Sequence, residues 1–320
     1  VSEHLGQNLL FLVSQPRAGS TLLQRILGAH PEIYTVSEPW LLLHPVYALR
    51  TTGYSAEYNA SLARLALREF LGQLQEGDEA FYESARMMYS YLYERALANG
   101  RGQFFLDKTP RYYLILNEIC RLFPRARIIL LLRNPLAVLA SVVRGWSCDR
   151  GGLERHRADL LEAPGLLRQA MTQHRDRTLV TRYENLVRDP AKEVTTILHR
   201  LGLAASGDPL EYAAADLPRW RFGNQDAVYE HDAPREELAD QWRDELGNAQ
   251  GWRLAHDYLH HLGRDTFNGL GYAYEDLHAT LEEHRPAWPR QMTTLSLDTC
   301  MRLSAFYGRS VRQARRLVKE

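Results

Sequence analysis

The sequence predicts an α/β fold: a central, mostly parallel sheet of about five strands with helices on both faces. Three observations predict it. Short apolar runs alternate with segments of helical period through residues 9–201. One run, Arg127-Ile128-Ile129-Leu130-Leu131-Leu132, is apolar without alternation and so reads as a central parallel strand. The first run passes through a tight polar loop into an amphipathic helix, the unit from which such sheets are built.

That first run is Leu9-Leu10-Phe11-Leu12-Val13, a buried strand, and Leu22, Leu23, Ile26 and Leu27 share one face of the helix that follows. Between them lies Ser14-Gln15-Pro16-Arg17-Ala18-Gly19-Ser20-Thr21. A strand, a tight loop and a helix start aim backbone N–H groups and a positive helix end at an anion. Gly19 permits close approach, Ser20 and Thr21 offer hydroxyls, and Arg17 adds a planar cation. Aligned on Gly19 with the nucleotide loop G-x-x-x-x-G-K-[ST], Ser20 stands where the lysine belongs. The loop suits a 5′-phosphate-like group and is poorly built for ATP–magnesium chemistry.

Ile33-Tyr34-Thr35-Val36 reads as the second strand, with Glu38 at its carboxyl end, where open α/β sheets place their ligands. Residues 56–99 read as two helices. In the first, Ala63, Leu67, Phe70, Leu71 and Leu74 form one apolar face. The second carries Phe81, Tyr82, Tyr89, Tyr91 and Tyr93, rings whose helical spacing reads as packing before it reads as a pocket wall. Gln103-Phe104-Phe105-Leu106 is the third strand and delivers Asp107-Lys108-Thr109-Pro110-Arg111-Tyr112 to the same edge. The central strand ends in Arg133-Asn134-Pro135, and Pro135 opens a helix that carries Ser141. No aspartate ends that strand, so no Walker-type magnesium ligand is expected there. Thr178-Leu179-Val180-Thr181-Arg182-Tyr183 is the last strand, followed by Glu184-Asn185-Leu186 and a helix from Pro190 with Val194, Ile197, Leu198 and Leu201 on one face.

Composition narrows the function classes. The chain has 320 residues, 39 basic and 39 acidic, so its balance favours neither nucleic acid nor a membrane surface as partner. Cys120, Cys148 and Cys300 lie far apart without metal-ligand spacing. They fit a reducing compartment, no disulfide framework and no metal. With no signal peptide and no apolar run long enough to span a bilayer, a cytoplasmic protein is expected. Arg309, Arg312, Arg315, Arg316 and Lys319 make a basic C-terminal helix. The expected organisation is one domain over residues 1–285, with a helical insertion over about 55–99, and an accessory helical segment over 286–320 that packs on the body or serves a homodimer.

Four stretches, in order, resemble those of sulfotransferases that use 3′-phosphoadenosine-5′-phosphosulfate. Pro16-Arg17-Ala18-Gly19-Ser20-Thr21 resembles the family's 5′-phosphosulfate loop, P-R-S-G-[ST]-T, with Ala18 in place of the usual serine. Asp107 to Tyr112 resembles [DE]-K-[ST]-P-x-Y, Arg133 followed by Ser141 resembles the 3′-phosphate pair, and Arg182-Tyr183-Glu184-Asn185-Leu186 resembles R-Y-E-D-L. Weaker echoes are the loop Pro218-Arg219-Trp220-Arg221-Phe222-Gly223-Asn224 and Leu270-Gly271-Tyr272. Arginine in the loop and the position of Glu38 place the likeness nearer the tyrosylprotein and bacterial carbohydrate branch than the cytosolic phenol and steroid branch.

The resemblance implies a three-layer P-loop-like fold and sulfuryl transfer to a hydroxyl, or secondarily an amine, on a small molecule or a carrier-bound chain, leaving adenosine 3′,5′-bisphosphate. It implies nucleotide contacts from Pro16, Arg17, Ala18, Gly19, Ser20, Thr21, Arg133, Ser141 and Tyr183 and from Arg221, Gly223 and Asn224. Catalysis falls to Arg17 and Lys108 as cations and to Glu38 as general base, with Asp107 as the alternative base because the heparan branch uses an acid there. His44 and His231 are distant candidates for that role. Two other readings stand beside it: a P-loop kinase or NTPase, against which the missing loop lysine counts, and a non-catalytic nucleotide-binding module of the same fold.

Overall fold

The computed structural model describes residues 5–53, 56–100, 102–146, 152–204, 233–287 and 294–302. The stretch from Arg219 to Asn224, with Arg221 and Gly223, lies outside them, as do His231, Cys148 and the basic segment from Arg309 to Lys319 that the sequence reads as a helix. Five strands, β1 (Leu9–Ser14), β2 (Ile33–Ser37), β3 (Phe104–Lys108), β4 (Arg127–Leu132) and β5 (Thr178–Arg182), form one sheet in the order β2-β3-β1-β4-β5. Every pairing is parallel. β3 runs two residues beyond its apolar stretch because Asp107 and Lys108 still pair with Phe11 and Leu12 of β1.

The pleat sorts side chains between two cores. Phe11, Val13, Phe105, Ile128 and Leu130 face a cluster with α4 (Asp78–Asn99), α5 (Leu116–Leu122) and α9 (Ala163–Gln173). Leu10, Leu12, Leu106, Ile129 and Leu131 face α1 (Ser20–Gly28) and α11 (Pro190–Leu201). A third cluster joins α6 (Pro135–Trp146) to α13 (Ala249–Leu270) and α14 (Tyr274–Glu283), and Leu297, Cys300 and Met301 pack onto it. The remaining helices are short or peripheral: α2 (Leu43–Ala48), α3 (Ala60–Leu71), α7 (Gly152–Arg155), α8 (Arg157–Leu161), α10 (Tyr183–Arg188) and α12 (Trp242–Glu245). No helix among the described residues is long and apolar enough to cross a membrane.

The apolar face expected on α3 is largely uncovered. Leu71 is buried, but Phe70 is 58% exposed and Leu62 62%. Helical spacing reports a stripe, not how much of it is covered: Leu67 and Leu71 pack on the core, and Phe70 does not. On α4, Tyr82, Tyr89 and Tyr93 enter the core while Tyr91 stays exposed, so the rings serve packing.

Asp107 is taken into that core, 1% exposed. Alternation along β3 sends Asp107 to the face of Phe105 and Lys108 to the opposite one. Its Oδ2 accepts hydrogen bonds from the Tyr93 hydroxyl at 2.7 Å and the Tyr112 hydroxyl at 3.1 Å, and its Oδ1 accepts from Thr109 at 2.8 Å. These bonds tie the sheet to α4 and to the turn at residues 110–115. Burial raises the Asp107 pKa to about 6, although the three hydroxyls and Lys108 oppose it.

An acid whose folded pKa is raised holds its proton more tightly when folded, so ionisation weakens the fold as pH rises from the ordinary value of 3.8 to about 6. Comparing the parent with Asp107→Asn cancels every other titration. The stability difference should shift by up to about 3 kcal/mol in the parent's favour on going from pH 7.5 to pH 4. Urea melts at the two pH values measure it, and a pH-independent difference would contradict the buried, protonatable state.

Candidate active site at the carboxyl edge of the sheet

The chain leaves β1 at the centre of the sheet and first builds β2 and β3 on one side, then β4 and β5 on the other. Loops at the carboxyl ends of β1, β3 and β4 therefore meet at a topological switch point, where parallel sheets open a crevice. A cavity of about 360 Å³ lies there, lined among others by Pro16, Arg17, Gly19, Ser20, Thr21, Glu38, Arg133, Ser141 and Tyr183.

The floor is the start of α1. Gly19 stands at its N-cap in the left-handed region, φ 94°, and no side chain caps the helix. Its first amides are thus left to whatever occupies the cavity. A Cβ at Gly19 would run into the Tyr183 ring, so the position needs glycine for both its φ and its space. Ala18, fully buried, turns its N–H to the Gln15 carbonyl at 3.1 Å and does not line the cavity.

The walls are cationic. Arg17, Arg111, Arg133, Arg144 and Arg235 line the cavity against two carboxylates, Glu38 and Glu245. Arg17 Nε donates to Ser141 Oγ at 3.1 Å. Arg133 donates to the carbonyls of Arg17 and Leu238 at 3.0 and 2.9 Å and stacks 4.2 Å above the Tyr183 ring. Burial, then the charges of Arg144 and Arg133, pull the Arg17 pKa below its ordinary value. Arg111 is clamped differently: its guanidinium holds both carboxylate oxygens of Asp159 at 3.0 and 2.6 Å, and Tyr113 and His156 bond the same carboxylate. Burial alone would raise the Asp159 pKa, but His156, Arg111 and Tyr113 outweigh it and hold the group below the usual carboxylate range.

Glu38 is the cavity carboxylate supplied from the end of β2. It follows β2 with φ 50°, and its N–H donates to the Lys108 carbonyl at 2.8 Å. Oε1 accepts from Lys108 Nζ at 3.1 Å and Oε2 from Trp40 Nε1 at 3.4 Å. Lys108 is fully buried beneath Glu38 and does not line the cavity. Desolvation lowers its pKa, against the pull of Glu38 and Asp107. Asp107 does not reach the cavity either.

The fourth stretch of the sequence pattern and one of its weaker echoes, Leu270-Gly271-Tyr272, meet after β5. Glu184 accepts from the Asn134 N–H at 2.8 Å and from the Tyr272 hydroxyl at 2.9 Å, while Arg182 donates to the Leu270 carbonyl at 3.0 Å. The segment after β4, the segment after β5 and the Leu270-Gly271-Tyr272 turn thereby support one another. The sequence reading passed over Arg111, Arg144, His156 and Asp159. Two signals were present: Arg111 lies within the quoted stretch after β3, and Arg144 falls three residues after Ser141, on the same helical face.

A sequence profile of the sulfotransferase family matches residues 10–207. The nodulation protein NoeE of Sinorhizobium fredii is 30% identical over 297 residues, covering 85% of this chain and 67% of that protein. Protein-tyrosine sulfotransferase 1 of Danio rerio is 26% identical over 200 residues, covering 61% of this chain and 53% of that one. Two solved structures share the fold at a TM-score of 0.51. They are the sulfotransferase domain from the curacin biosynthetic pathway (21% identity, 73% of this chain and 89% of that one) and that of the Synechococcus PCC 7002 olefin synthase (24% identity, 90% and 98%). With the profile spanning more than half of its length and a relative 30% identical across two thirds of that protein, the chain belongs to the sulfotransferase family.

Proposed function

We propose that this chain moves the sulfuryl group of 3′-phosphoadenosine-5′-phosphosulfate to a hydroxyl acceptor by in-line displacement. One observation carries the reading. Among the described residues, Arg17 and Arg133 meet a hydroxyl, two backbone carbonyls and an aromatic ring, but no carboxylate. Buried Arg133 Nε has no partner. Adjacent guanidiniums left without counter-charge beside an uncapped helix start suit a ligand with several negative charges. A charge-assisted bond is worth about 1.5–3 kcal/mol and a helix terminus about 0.3–1 kcal/mol, so the arginines dominate the affinity.

The donor supplies an activated sulfuryl group whose bridging oxygen gathers negative charge as the bond to sulfur breaks. Arg17 and the amides opening α1 hold the 5′ end and offset that charge. Arg133 and Ser141 hold the 3′-phosphate, and Arg221, Gly223 and Asn224 belong to the same proposal. Glu38 takes the proton from the acceptor hydroxyl. Lys108 fixes the direction of the Glu38 carboxylate, a positioning role. Asp107, with its oxygens engaged by three hydroxyls away from the cavity, anchors the fold.

Arg133→Ala should weaken binding of adenosine 3′,5′-bisphosphate by about 2–4 kcal/mol, roughly 30- to 700-fold, because a doubly charged phosphate loses a charged partner. Titration calorimetry reads this directly, and unchanged affinity would remove Arg133 from the subsite.

Glu38→Gln should cut turnover by about 10²–10⁴-fold, the usual contribution of a general base. Bisphosphate affinity should stay within a few-fold, because the amide is nearly isosteric. Turnover above about a third of the parent's, with Asp107→Asn inactive yet binding the bisphosphate, would move the base to Asp107.

A further inference from the structure

The hairpin of α13 and α14 carries a cluster that the sulfotransferase reading does not use. His256 and His260 stand one turn apart on α13, and His278 stands opposite them on α14. One ring nitrogen or more from each lies in a group whose members are all within 4.8 Å of one another. The pairing of the helices holds this in place: Trp252 donates from its indole to the Leu281 carbonyl at 2.7 Å, and the His256 ring stacks on Trp252 at 4.9 Å.

We propose that His256, His260 and His278 form a binding site for a divalent transition metal, Zn²⁺ being the ion the geometry suits. The Nε2 atoms of His256 and His260 lie 3.1 Å apart. Two nitrogens bound at zinc's ordinary distance in a tetrahedron are separated by about 3.3 Å. His260 is also engaged on its other side, where Nδ1 meets the Tyr274 hydroxyl at 3.1 Å; the Asp257 carboxylate lies 4.0 Å from His256 Nδ1. With Nδ1–H of His260 donated to Tyr274, its Nε2 is the acceptor of the Nε2–Nε2 hydrogen bond and is free to ligate. A cation that displaces the shared Nε2 proton would bond to both nitrogens. Imidazole ligands suit zinc, copper and nickel and do not suit magnesium or calcium. Three histidines leave a fourth position for water.

The site bridges two helices joined by the Leu270-Gly271-Tyr272 turn, which supports Glu184 and Arg182 at the end of β5. Metal binding therefore staples the hairpin and raises the melting temperature, through structure alone.

The test uses the full chain without a histidine tag, stripped with chelator and titrated with Zn²⁺ alone by calorimetry. One equivalent should bind with micromolar or tighter affinity and raise the melting temperature. His260→Ala removes an exposed ring and should weaken binding at least tenfold. Tyr274→Phe keeps the packing but removes the Nδ1 partner and should weaken it by about tenfold. Co²⁺ should give a visible d–d spectrum in the parent that is lost in His260→Ala, a readout that reports the ligand set even where stability changes. Absence of a stoichiometric site, or binding and spectrum unchanged in both variants, would overturn the proposal.

Discussion

The burial of Arg17 beside the like charges of Arg144, itself paired with Glu245, and of Arg133 is the constraint around which the carboxyl edge of the sheet is arranged. Three guanidiniums do not gather of their own accord, so the fold must hold them. Arg17 is fixed by the β1–α1 loop and by Ser141 of α6. Arg133 is fixed by two carbonyls and the face of Tyr183, whose ring also lies against Gly19. The central strands β1 and β4, buried on both faces, are rigid enough to carry these opposed charges. A bound polyanion would offset these charges, as the proposed function requires.

Backbone strain gathers at the same edge. Among the described residues, the non-glycine positions with positive φ are Arg17, Glu38 and Trp40, at 74°, 50° and 56°. Each costs on the order of 1–3 kcal/mol and persists only where the surroundings impose it. For Glu38 they do so through its N–H on the Lys108 carbonyl and its side chain on the Lys108 ammonium. The ion pair thus holds the Glu38 carboxylate at the cationic cavity.

Much of this was legible in the sequence. The strands declared themselves as apolar runs, and the loop from Pro16 to Thr21 as a glycine and hydroxyl cluster between strand and helix. Glu38, Arg133 and Tyr183, each just past a strand, line the cavity together with Ser141 of α6. What stayed hidden needs three-dimensional neighbours. Asp159 and His156 come to Arg111 from a helical region some forty to fifty positions along the chain, and no local period announces such a meeting. The burial of Asp107 was within reach of alternation, since residues two apart on a strand share a face and Phe105 is plainly core. The exposed stripe on α3 is the opposite case: the period was read correctly, and its burial did not follow.

The most direct measurement is a crystal structure of the chain with adenosine 3′,5′-bisphosphate. The account predicts the 5′-phosphate against Arg17 and the amides that open α1, the 3′-phosphate against Arg133 and Ser141, and Glu38 facing the position the sulfuryl group would take. Nucleotide bound away from the β1–α1 loop, or a 3′-phosphate without contact to Arg133, would contradict it.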